Sequence, residues 1–220
     1  MSRFKMICSV ILVFSIVVVT LTLGHTVVFR LPDAYTFYFN DSRCVDRLYT
    51  SLTSSQMADE ITGFMNSFRP ETFQVHDFTG YDELPIFDSR DSYNMMVLKR
   101  MVDISSIFCV IGIILMVFNY IWLIREEEMK LIRNSFRIGA SISAAVIVLQ
   151  AVVLSAGGLR DSYMRIWGMR TPAEDSKLEM IMGDDFWAIC TVCLTVISLI
   201  ILAVLIYVNR RIIRPSRIFF

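Results

Sequence analysis

The sequence has few of the residues and motifs on which soluble enzymes commonly depend. Only two histidines occur among its 220 residues, and its formal net charge is zero. It contains no serine-hydrolase elbow, no zinc-protease motif, no glycine-rich phosphate loop and no nucleic-acid-binding signature. A neutral chain without such a signature gives no reason to expect a nucleic-acid partner. We therefore expect no nucleic-acid binding, no metal site and no cofactor.

Cysteine is scarce where a disulfide would need it. Five cysteines are present, and four of them fall inside the uncharged stretches described below: Cys8, Cys109, Cys190 and Cys193. Cys44 is the one left outside, so an extracytoplasmic disulfide within the chain has no second cysteine. Cys190 and Cys193 have the CxxC spacing of redox and zinc motifs, but their apolar surroundings favour small buried thiols.

Charge is missing from four long stretches of the chain. No Asp, Glu, Lys or Arg occurs at positions 6–29, 104–124, 138–159 or 186–209. A charged residue at the centre of a bilayer costs about 2.5–3.5 kcal/mol on insertion scales, which accounts for this pattern. Buried helices of a soluble protein would instead show polar stripes at a spacing of about 3.6 residues. We place membrane spans at 6–23, 104–124, 138–156 and 186–208.

These spans predict an all-α membrane protein. Its expected form is a four-transmembrane-helix bundle with a small mixed extracytoplasmic domain between helices 1 and 2. Residues 1–5, 125–137 and 209–220 hold ten basic and three acidic residues, whereas the rest of the chain holds eleven and eighteen. The positive-inside rule therefore places both termini in the cytoplasm of a multi-pass cell-membrane protein.

The predicted divisions follow from the spans and this orientation. They are helix 1 with its basic start (1–24), an extracytoplasmic domain (25–103), helices 2 and 3 with a cytoplasmic loop at 125–137 (104–158), a second extracytoplasmic loop (159–185), and helix 4 with a basic cytoplasmic tail (186–220). The first span has a signal peptide as its alternative, with Arg3 and Lys5 as the charged start. Its apolar region is longer than the usual 7–15 residues, which favours a retained span.

The first extracytoplasmic segment contains three recognisable parts. Residues 26–40 are rich in aromatic and β-branched side chains, interrupted by Pro32, and predict a strand or an interfacial segment. A helix follows with Ser54 or Ser55 as its cap, and Arg69-Pro70 ends it. Its apolar face either packs within the outer domain or lies on lipid headgroups, and it contains Met57, Ile61, Phe64, Met65 and Phe68. Residues 71–88 predict a loop or a short strand, before a helix that starts at 88–89 and leads into span two.

Sequence motifs on both sides of the second and third spans resemble those of a known family. The lead-in to span two reads DSYNMMVLK at 91–99, and YMRIW at 163–167 and DSKLEMIMGDDFW at 175–187 follow span three. In their order, these motifs resemble the bacterial membrane family of lipoprotein intramolecular transacylases. The family patterns read roughly E-x-x-H-M-x-D-V-K and F-H-x-x-F-F, so Asn94 and Met164 stand where the family has histidines.

The resemblance implies a reaction in which an ester-linked acyl chain of a diacylglyceryl lipoprotein moves to the α-amino group of its N-terminal cysteine. Such a reaction needs a base for the amine and an acid for the glyceryl oxygen, and histidine suits both roles. Neither Asn94 nor Met164 exchanges a proton near neutral pH. Three alternatives therefore remain open: an acyltransferase, a catalytically silent relative that binds lipid or lipoprotein, and an accessory membrane subunit. Membrane lipids are the expected partners, with lipoproteins as a further candidate.

Other polar residues are candidates for the missing chemistry. Asp91 and Asp103, on the lead-in helix, are candidate catalytic carboxylates, and His25 and His76 are further acid–base candidates. The candidate substrate-binding residues are Lys99, Arg160, Arg165 and Asp175.

These candidates also have ordinary structural interpretations. Lys99 and Asp103 are spaced to pair along one helix, and Arg160 and Arg165 are placed to anchor span three at the membrane interface. A shared site further requires that the two extracytoplasmic segments pack on each other and form one cavity containing Asn94 and Met164.

Overall fold

The computed structural model of the chain describes residues 3–67, 72–79 and 82–213. Its elements in chain order are α1 (Arg3–Val28), α2 (Pro32–Ser42), a short 3-10 helix (Val45–Leu48), α3 (Ser54–Asn66), β1 (His76–Thr79), β2 (Asp82–Pro85), α4 (Ser89–Arg125), α5 (Met129–Ser155), α6 (Gly157–Ile166), α7 (Lys177–Met182) and α8 (Asp184–Ile213). The chain divides into two compact units. Unit 1 comprises Met1–Gly24, Ser105–Gln150 and Leu194–Phe220, and unit 2 comprises His25–Ile104 and Ala151–Cys193.

Four helices of the described chain, α1, α4, α5 and α8, are long and apolar enough to cross a membrane. The four predicted spans lie within these helices, except that Ala156 follows the last residue of α5. The polar lead-in and span two form one continuous helix, α4, as predicted. Asp88 caps its start, because a carboxylate oxygen of Asp88 accepts a hydrogen bond from the backbone N–H of Asp91 at 2.6 Å.

The core of unit 1 is formed by apolar side chains of α1, α4 and α5. Its buried members are Cys8, Leu12, Ile16, Leu123, Ile132 and Phe136. Close packing of α1 on α5 depends on Gly139, because a Cβ atom there would lie 3.1 Å from the Cδ1 atom of Ile16. The ammonium of Lys5 forms ion pairs with Glu126 at 3.2 Å and Glu128 at 3.0 Å. These contacts join the start of α1 to the connection between α4 and α5.

Residues 26–40 do not form a strand, so the strand alternative is wrong, and the interfacial alternative stays a prediction. The chain continues in α1 as far as Val28 and enters α2 at Pro32, where a missing N–H costs a helix nothing. The aromatic residues of α2 are spaced by three and four positions, which places Tyr35, Tyr38 and Phe39 on one buried face. Phe186 at the start of α8 packs on this face, with ring centroids 5.7 Å from Tyr35 and 5.4 Å from Tyr38.

Helix α3 starts one residue earlier than predicted. Thr53 caps it through a capping box with Gln56, in which each side chain bonds the other residue's backbone N–H. The side chains of Met57, Ile61 and Met65 are fully buried, so the apolar face packs within unit 2 rather than on lipid headgroups. The helix ends at Asn66, and the predicted stop at Arg69-Pro70, like Phe68 of the predicted face, lies outside the described residues.

The remaining parts of unit 2 are a hairpin and two short helices. Strands β1 and β2 pair antiparallel, with His76 opposite Pro85, within the segment predicted as loop or short strand. Gly80 lies outside the described residues. The segment 159–185, predicted as a loop, contains most of α6 and all of α7. These two helices form the walls of the cavity described next.

Candidate functional site

A cavity of about 420 Å³ lies within unit 2. Helix α4 supplies one wall through Asn94 and Leu98, and α6, the 167–176 segment, α7 and the start of α8 supply the rest. Asn94 and Met164, the two positions where the family has histidines, both line it. The predicted juxtaposition of the two motifs is therefore observed, and we call this space the unit 2 cavity.

Asn94 is held in place by the backbone of the facing segment. Its side-chain NH₂ donates to the carbonyl oxygen of Arg170 at 3.0 Å, and the N–H of Arg170 donates to its Oδ1 atom at 2.8 Å. The side chain is only 5% exposed. Both ends of the amide are thus bonded to one residue, so Asn94 fixes the 167–176 segment against α4. Asn94 therefore has a structural role of its own at this position.

The way in which α6 ends places Arg170 beside Asn94. Gly168 has a φ of +96°, a conformation that glycine adopts without steric cost. The N–H of Gly168 donates to the carbonyl of Arg165, and that of Met169 donates to the carbonyl of Met164. This is the Schellman pattern of helix termination. It reverses the chain immediately after α6 and leaves Met164 buried against the cavity.

Asp91 organises the start of α7. Its carboxylate accepts hydrogen bonds from the hydroxyl of Ser176 at 2.6 Å and from the N–H of Leu178 at 3.1 Å. Ser176 in turn accepts from the N–H of Glu179, so it caps the helix while donating to Asp91. The carboxylate is 99% buried and is not among the groups that line the cavity. Each of its two oxygens is thus bonded, one to the Ser176 hydroxyl and the other to the Leu178 N–H in the first turn of α7.

Arg160 and Glu179 bring opposite charges to the cavity wall. Arg160 is buried, and its Nη2 atom lies 2.5 Å from a carboxylate oxygen of Asp184 and 3.6 Å from one of Asp161. Partial desolvation raises the pKa of the Glu179 carboxyl above its ordinary value. The guanidinium of Arg160 opposes that rise, while the carboxylates of Asp184, Asp161 and Asp91 reinforce it.

Glu179 was missed by the sequence analysis. It follows Ser176 by three positions, and the S-x-x-E spacing of a capping box could have placed it in the first turn of a helix. That signal says nothing about a cavity. Only the packing of α7 beside α6 and α4 reveals that Glu179 lines the same space as Asn94 and Met164.

Arg165 and Arg170 also line the cavity, and both are largely exposed. Arg170 lies over the ring of Tyr93, with its guanidinium carbon 4.2 Å from the ring centroid. Together with buried Arg160, they provide several hydrogen-bond donors beside one carboxyl of raised pKa. Such a set can hold a polar, ester-bearing head and can accept or return a proton.

The other sequence candidates lie away from this cavity. The ammonium of Lys99 donates to the carbonyls of Phe64, at 2.8 Å, and Ser67, and so serves the end of α3. Asp103 pairs with Arg30 at 2.7 Å and lies 4.0 Å from Lys99.

Neither Asp175 nor either histidine lines the unit 2 cavity. Asp175 is exposed, His25 stacks with Phe29 and His76 lies in β1. Within residues 3–67, 72–79 and 82–213, no group of three or more His, Cys, Asp or Glu side chains has the arrangement of a metal site.

The sequence matches no protein-family model and no curated protein. The structure is similar to that of the membrane integral lipoprotein intramolecular transacylase Lit from Bacillus cereus. The TM-score is 0.73 at 12% identity, over 97% of both chains. Two structures of that protein in which one histidine is replaced, by arginine or by alanine, each give a TM-score of 0.72 at 10% and 11% identity over 95% of this chain. The chain is thus a multi-pass membrane protein with a Lit-like fold.

Proposed function

We propose that this protein acts on diacylglyceryl lipoproteins at the outer face of the cell membrane, as an intramolecular acyltransferase. The observation that carries the proposal is the composition of the unit 2 cavity. Asn94, Met164, Arg160 and Glu179 line one space, so a proton carrier and a cation meet where the family motifs converge. The likeness of the fold to a lipoprotein intramolecular transacylase supports the same substrate class.

The arginines of the cavity supply the binding part of this function. Guanidinium groups donate several hydrogen bonds in a fixed plane, which suits the carbonyl and glyceryl oxygens of an esterified lipid. Arg160 is buried, so its donors act where water is partly excluded. In the same position they stabilise the negative oxygen of a tetrahedral intermediate, an effect worth about 3–4 kcal/mol per donor in other acyl-transfer enzymes.

Glu179 supplies the proton transfer. The free α-amine of the lipidated cysteine attacks the ester carbonyl, a C–N bond forms and the C–O bond to glycerol breaks. Glu179 in its ionised form takes the proton from nitrogen and returns it to the departing glyceryl oxygen. No proton is gained or lost overall, so one carboxyl can serve both steps. Its raised pKa brings it closer to the value at which acid and base roles are balanced.

Binding of the lipoprotein without acyl transfer is the second candidate function. It is favoured by the two hydrogen bonds between the Asn94 amide and the backbone of Arg170, which give this side chain a purely positioning role. No histidine of the described chain lines the cavity, so the usual proton carrier of neutral pH is missing there. Under this candidate the same arginines hold the lipid head and the ester remains intact.

The proposed topology determines on which side of the membrane the unit 2 cavity opens. Residues 25–103 form a small mixed extracytoplasmic domain, 159–185 form a second extracytoplasmic segment, and both termini are cytoplasmic. The basic residues that flank the spans support this orientation. In this arrangement the unit 2 cavity is open to lipoproteins anchored in the outer leaflet.

The test is an assay with purified protein in lipid nanodiscs and a synthetic diacylglyceryl lipopeptide. Acyl migration from oxygen to nitrogen leaves the total mass unchanged, so the readout must be the free α-amine. An amine-reactive label adds mass to the substrate and not to the N-acylated product. We expect a loss of labelling with time that depends on the protein.

Glu179→Gln separates the two candidate functions. It should remove the transfer while preserving lipopeptide binding, whereas Glu174→Gln, an exposed change outside the cavity, should preserve both. Binding without any transfer by the unsubstituted protein would support the second candidate. Absence of both binding and transfer would reject the proposed function.

A further inference from the structure

A second large cavity lies in unit 1, and none of its lining residues lines the unit 2 cavity. It is an open groove of about 700 Å³ between α5 and α8. Three arginines line it: Arg133 and Arg137 from α5, and Arg210 from the last turn of α8. No aspartate or glutamate lines the groove. We call it the unit 1 groove.

The positive charge of the groove is not neutralised by ion pairs in the part of the chain that the structure describes. Arg133, Arg137 and Arg210 are all exposed, and no acidic side chain of that part lies within ion-pair distance of them. Glu126 and Glu128, in the connection between α4 and α5, instead form ion pairs with Lys5. The groove therefore presents three unneutralised guanidinium groups to one space.

Asn209 adds an independent polar contact at the wall of the groove. It is 92% buried, and its Oδ1 atom accepts a hydrogen bond from the hydroxyl of Tyr120 at 3.3 Å. That bond orients the amide, and its NH₂ group has no acceptor among the described residues. Asn209 lines the groove, so its NH₂ group is a further hydrogen-bond donor for a ligand there.

The rest of the groove is apolar. Phe136, Ala140, Ile206 and Ile213 line it beside the arginines. Exposed apolar side chains continue on the same faces of these two helices, two turns further along, at Val148 on α5 and Leu199 on α8. A ligand that fits must combine an anionic head with hydrocarbon chains.

We propose that the unit 1 groove binds one anionic phospholipid, with its phosphodiester held by Arg133, Arg137, Arg210 and Asn209 and its acyl chains along α5 and α8. Basic pockets between transmembrane helices recognise anionic lipid heads through charge and hydrogen bonds together. A zwitterionic lipid gains less, because its ammonium or choline group meets the same arginines. A soluble phosphodiester lacks the apolar contacts and binds more weakly.

Native mass spectrometry of the purified full chain tests this proposal, with phosphatidylglycerol as the anionic lipid and phosphatidylcholine as the zwitterionic control. The groove variant carries Arg133→Gln, Arg137→Gln and Arg210→Gln. The matched control carries Arg125→Gln, Lys130→Gln and Arg211→Gln, three exposed residues that do not line the groove. Both variants lose the same charge. Glycerophosphoglycerol, the lipid head without its chains, serves as a soluble competitor.

We expect the unsubstituted protein to retain one phosphatidylglycerol in preference to phosphatidylcholine. The groove variant should lose affinity for it by about a hundredfold, since each basic side chain near an anionic lipid contributes roughly a factor of five. The control variant should bind as the unsubstituted protein does.

Equal weakening in both variants, or equal retention of the two lipids by the unsubstituted protein, would overturn the proposal. Displacement of phosphatidylglycerol by equimolar glycerophosphoglycerol would also overturn it, because the site would then be one for a free phosphodiester. The lipid preference and this competition require no variant, so the test remains decisive if the groove variant does not fold.

Discussion

The side chains around the unit 2 cavity differ in whether their polar atoms are already bonded within the protein. Asp91 and Asn94 are buried, and their oxygens accept hydrogen bonds from α7 and from Arg170. They therefore position the walls. Arg160 also pairs with Asp184, but it and Glu179 line the cavity with a guanidinium group and with a carboxyl of raised pKa. Substitutions of Asp91 and Asn94 therefore test the structure of the cavity, and substitutions of Arg160 and Glu179 test its chemistry.

Replacement of Asn94 by aspartate should loosen the 167–176 segment. Asn94→Asp keeps an acceptor for the N–H of Arg170 but removes the donor to its carbonyl, and it places a carboxylate against that oxygen. We expect a loss of about 1–3 kcal/mol in the free energy of unfolding, the usual cost of an unsatisfied buried group. Denaturant unfolding in mild detergent measures it. Met96→Gln, an exposed change on the same helix, serves as the control. Equal stability of the two variants would show that the hydrogen bonds between Asn94 and Arg170 do not hold the 167–176 segment.

The pH dependence of acyl transfer should report Glu179. A base must be deprotonated, so the rate should fall as the pH falls through the pKa of this carboxyl. Because desolvation raises that pKa, the fall should begin at a higher pH than for an ordinary glutamate. Arg160→Gln removes a guanidinium that lowers the pKa, and it should move the midpoint of the profile to still higher pH. A midpoint that stays in place after this substitution would show that another group titrates.

The stability of a Glu179 variant separates folding from chemistry. A carboxyl whose pKa is raised in the folded state favours its protonated form there. Its contribution to stability is complete below the unfolded pKa and is lost as the pH rises through the folded pKa. Glu179→Gln, which mimics the protonated form, should therefore not lower the thermal midpoint at neutral pH. A large drop in that midpoint would mean that the residue has a structural role, and its loss of activity would then carry no information.

At the scale of elements, the short helices explain where the sequence succeeds and where it fails. Exclusion of charge from about twenty residues is a strong signal, so α1, α4, α5 and α8 were all predicted with small errors at their ends. Helices α2, α6 and α7 have 11, 10 and 6 residues and are stabilised by tertiary contacts. The packing of Phe186 from α8 against α2 is one such contact, and the hydrogen bond from Leu178 of α7 to Asp91 of α4 is another. No local pattern reveals them.

The same limit applies to the candidate site. The order of the motifs placed Asn94 and Met164 at one shared site, with Arg160 and Arg165 as separate binding candidates, and all four line the unit 2 cavity. Their assigned roles remain predictions. The sequence could not reveal that Lys99 is directed to the end of α3, because that contact joins positions more than thirty residues apart.

Removal of the Lys99 ammonium should destabilise α3. Its Nζ atom donates to the carbonyl of Ser67, which lies just beyond the helix, and to the carbonyl of Phe64, which also accepts from Ser67. Lys99→Met keeps most of the apolar stem and removes the charged donor from both carbonyls, at a cost of about 1–3 kcal/mol in the free energy of unfolding. Arg100→Met, an exposed neighbour that makes none of these bonds, is the control. Hydrogen exchange in α3 should rise in the first variant alone, and unchanged protection there would rule out this role.

At the scale of the whole molecule, we predict that the four spans put both termini on one side of the membrane. The charge of the flanks predicts that this side is the cytoplasm. Glu60→Cys and Lys130→Cys each put a thiol at an exposed position on opposite sides of the proposed topology. In intact cells an impermeant thiol reagent should label the first variant and not the second.

The unsubstituted chain is the control for this labelling, since its cysteines are buried or partly buried. Lysis before labelling should expose the thiol at position 130. Labelling of that position alone in intact cells would invert the proposed orientation and move the unit 2 cavity away from lipoproteins of the outer leaflet.

The central claim is that the unit 2 cavity holds the head of a diacylglyceryl lipoprotein, and photo-crosslinking tests it most directly. The probe is a diacylglyceryl lipopeptide with a photoreactive residue next to its lipidated cysteine, added to the protein in nanodiscs. We predict crosslinks to peptides of α6 and α7, lost in excess unlabelled lipopeptide and weakened by Arg160→Gln with Arg165→Gln. Crosslinks confined to unit 1, or crosslinks to α6 and α7 that unlabelled lipopeptide does not displace, would contradict the account.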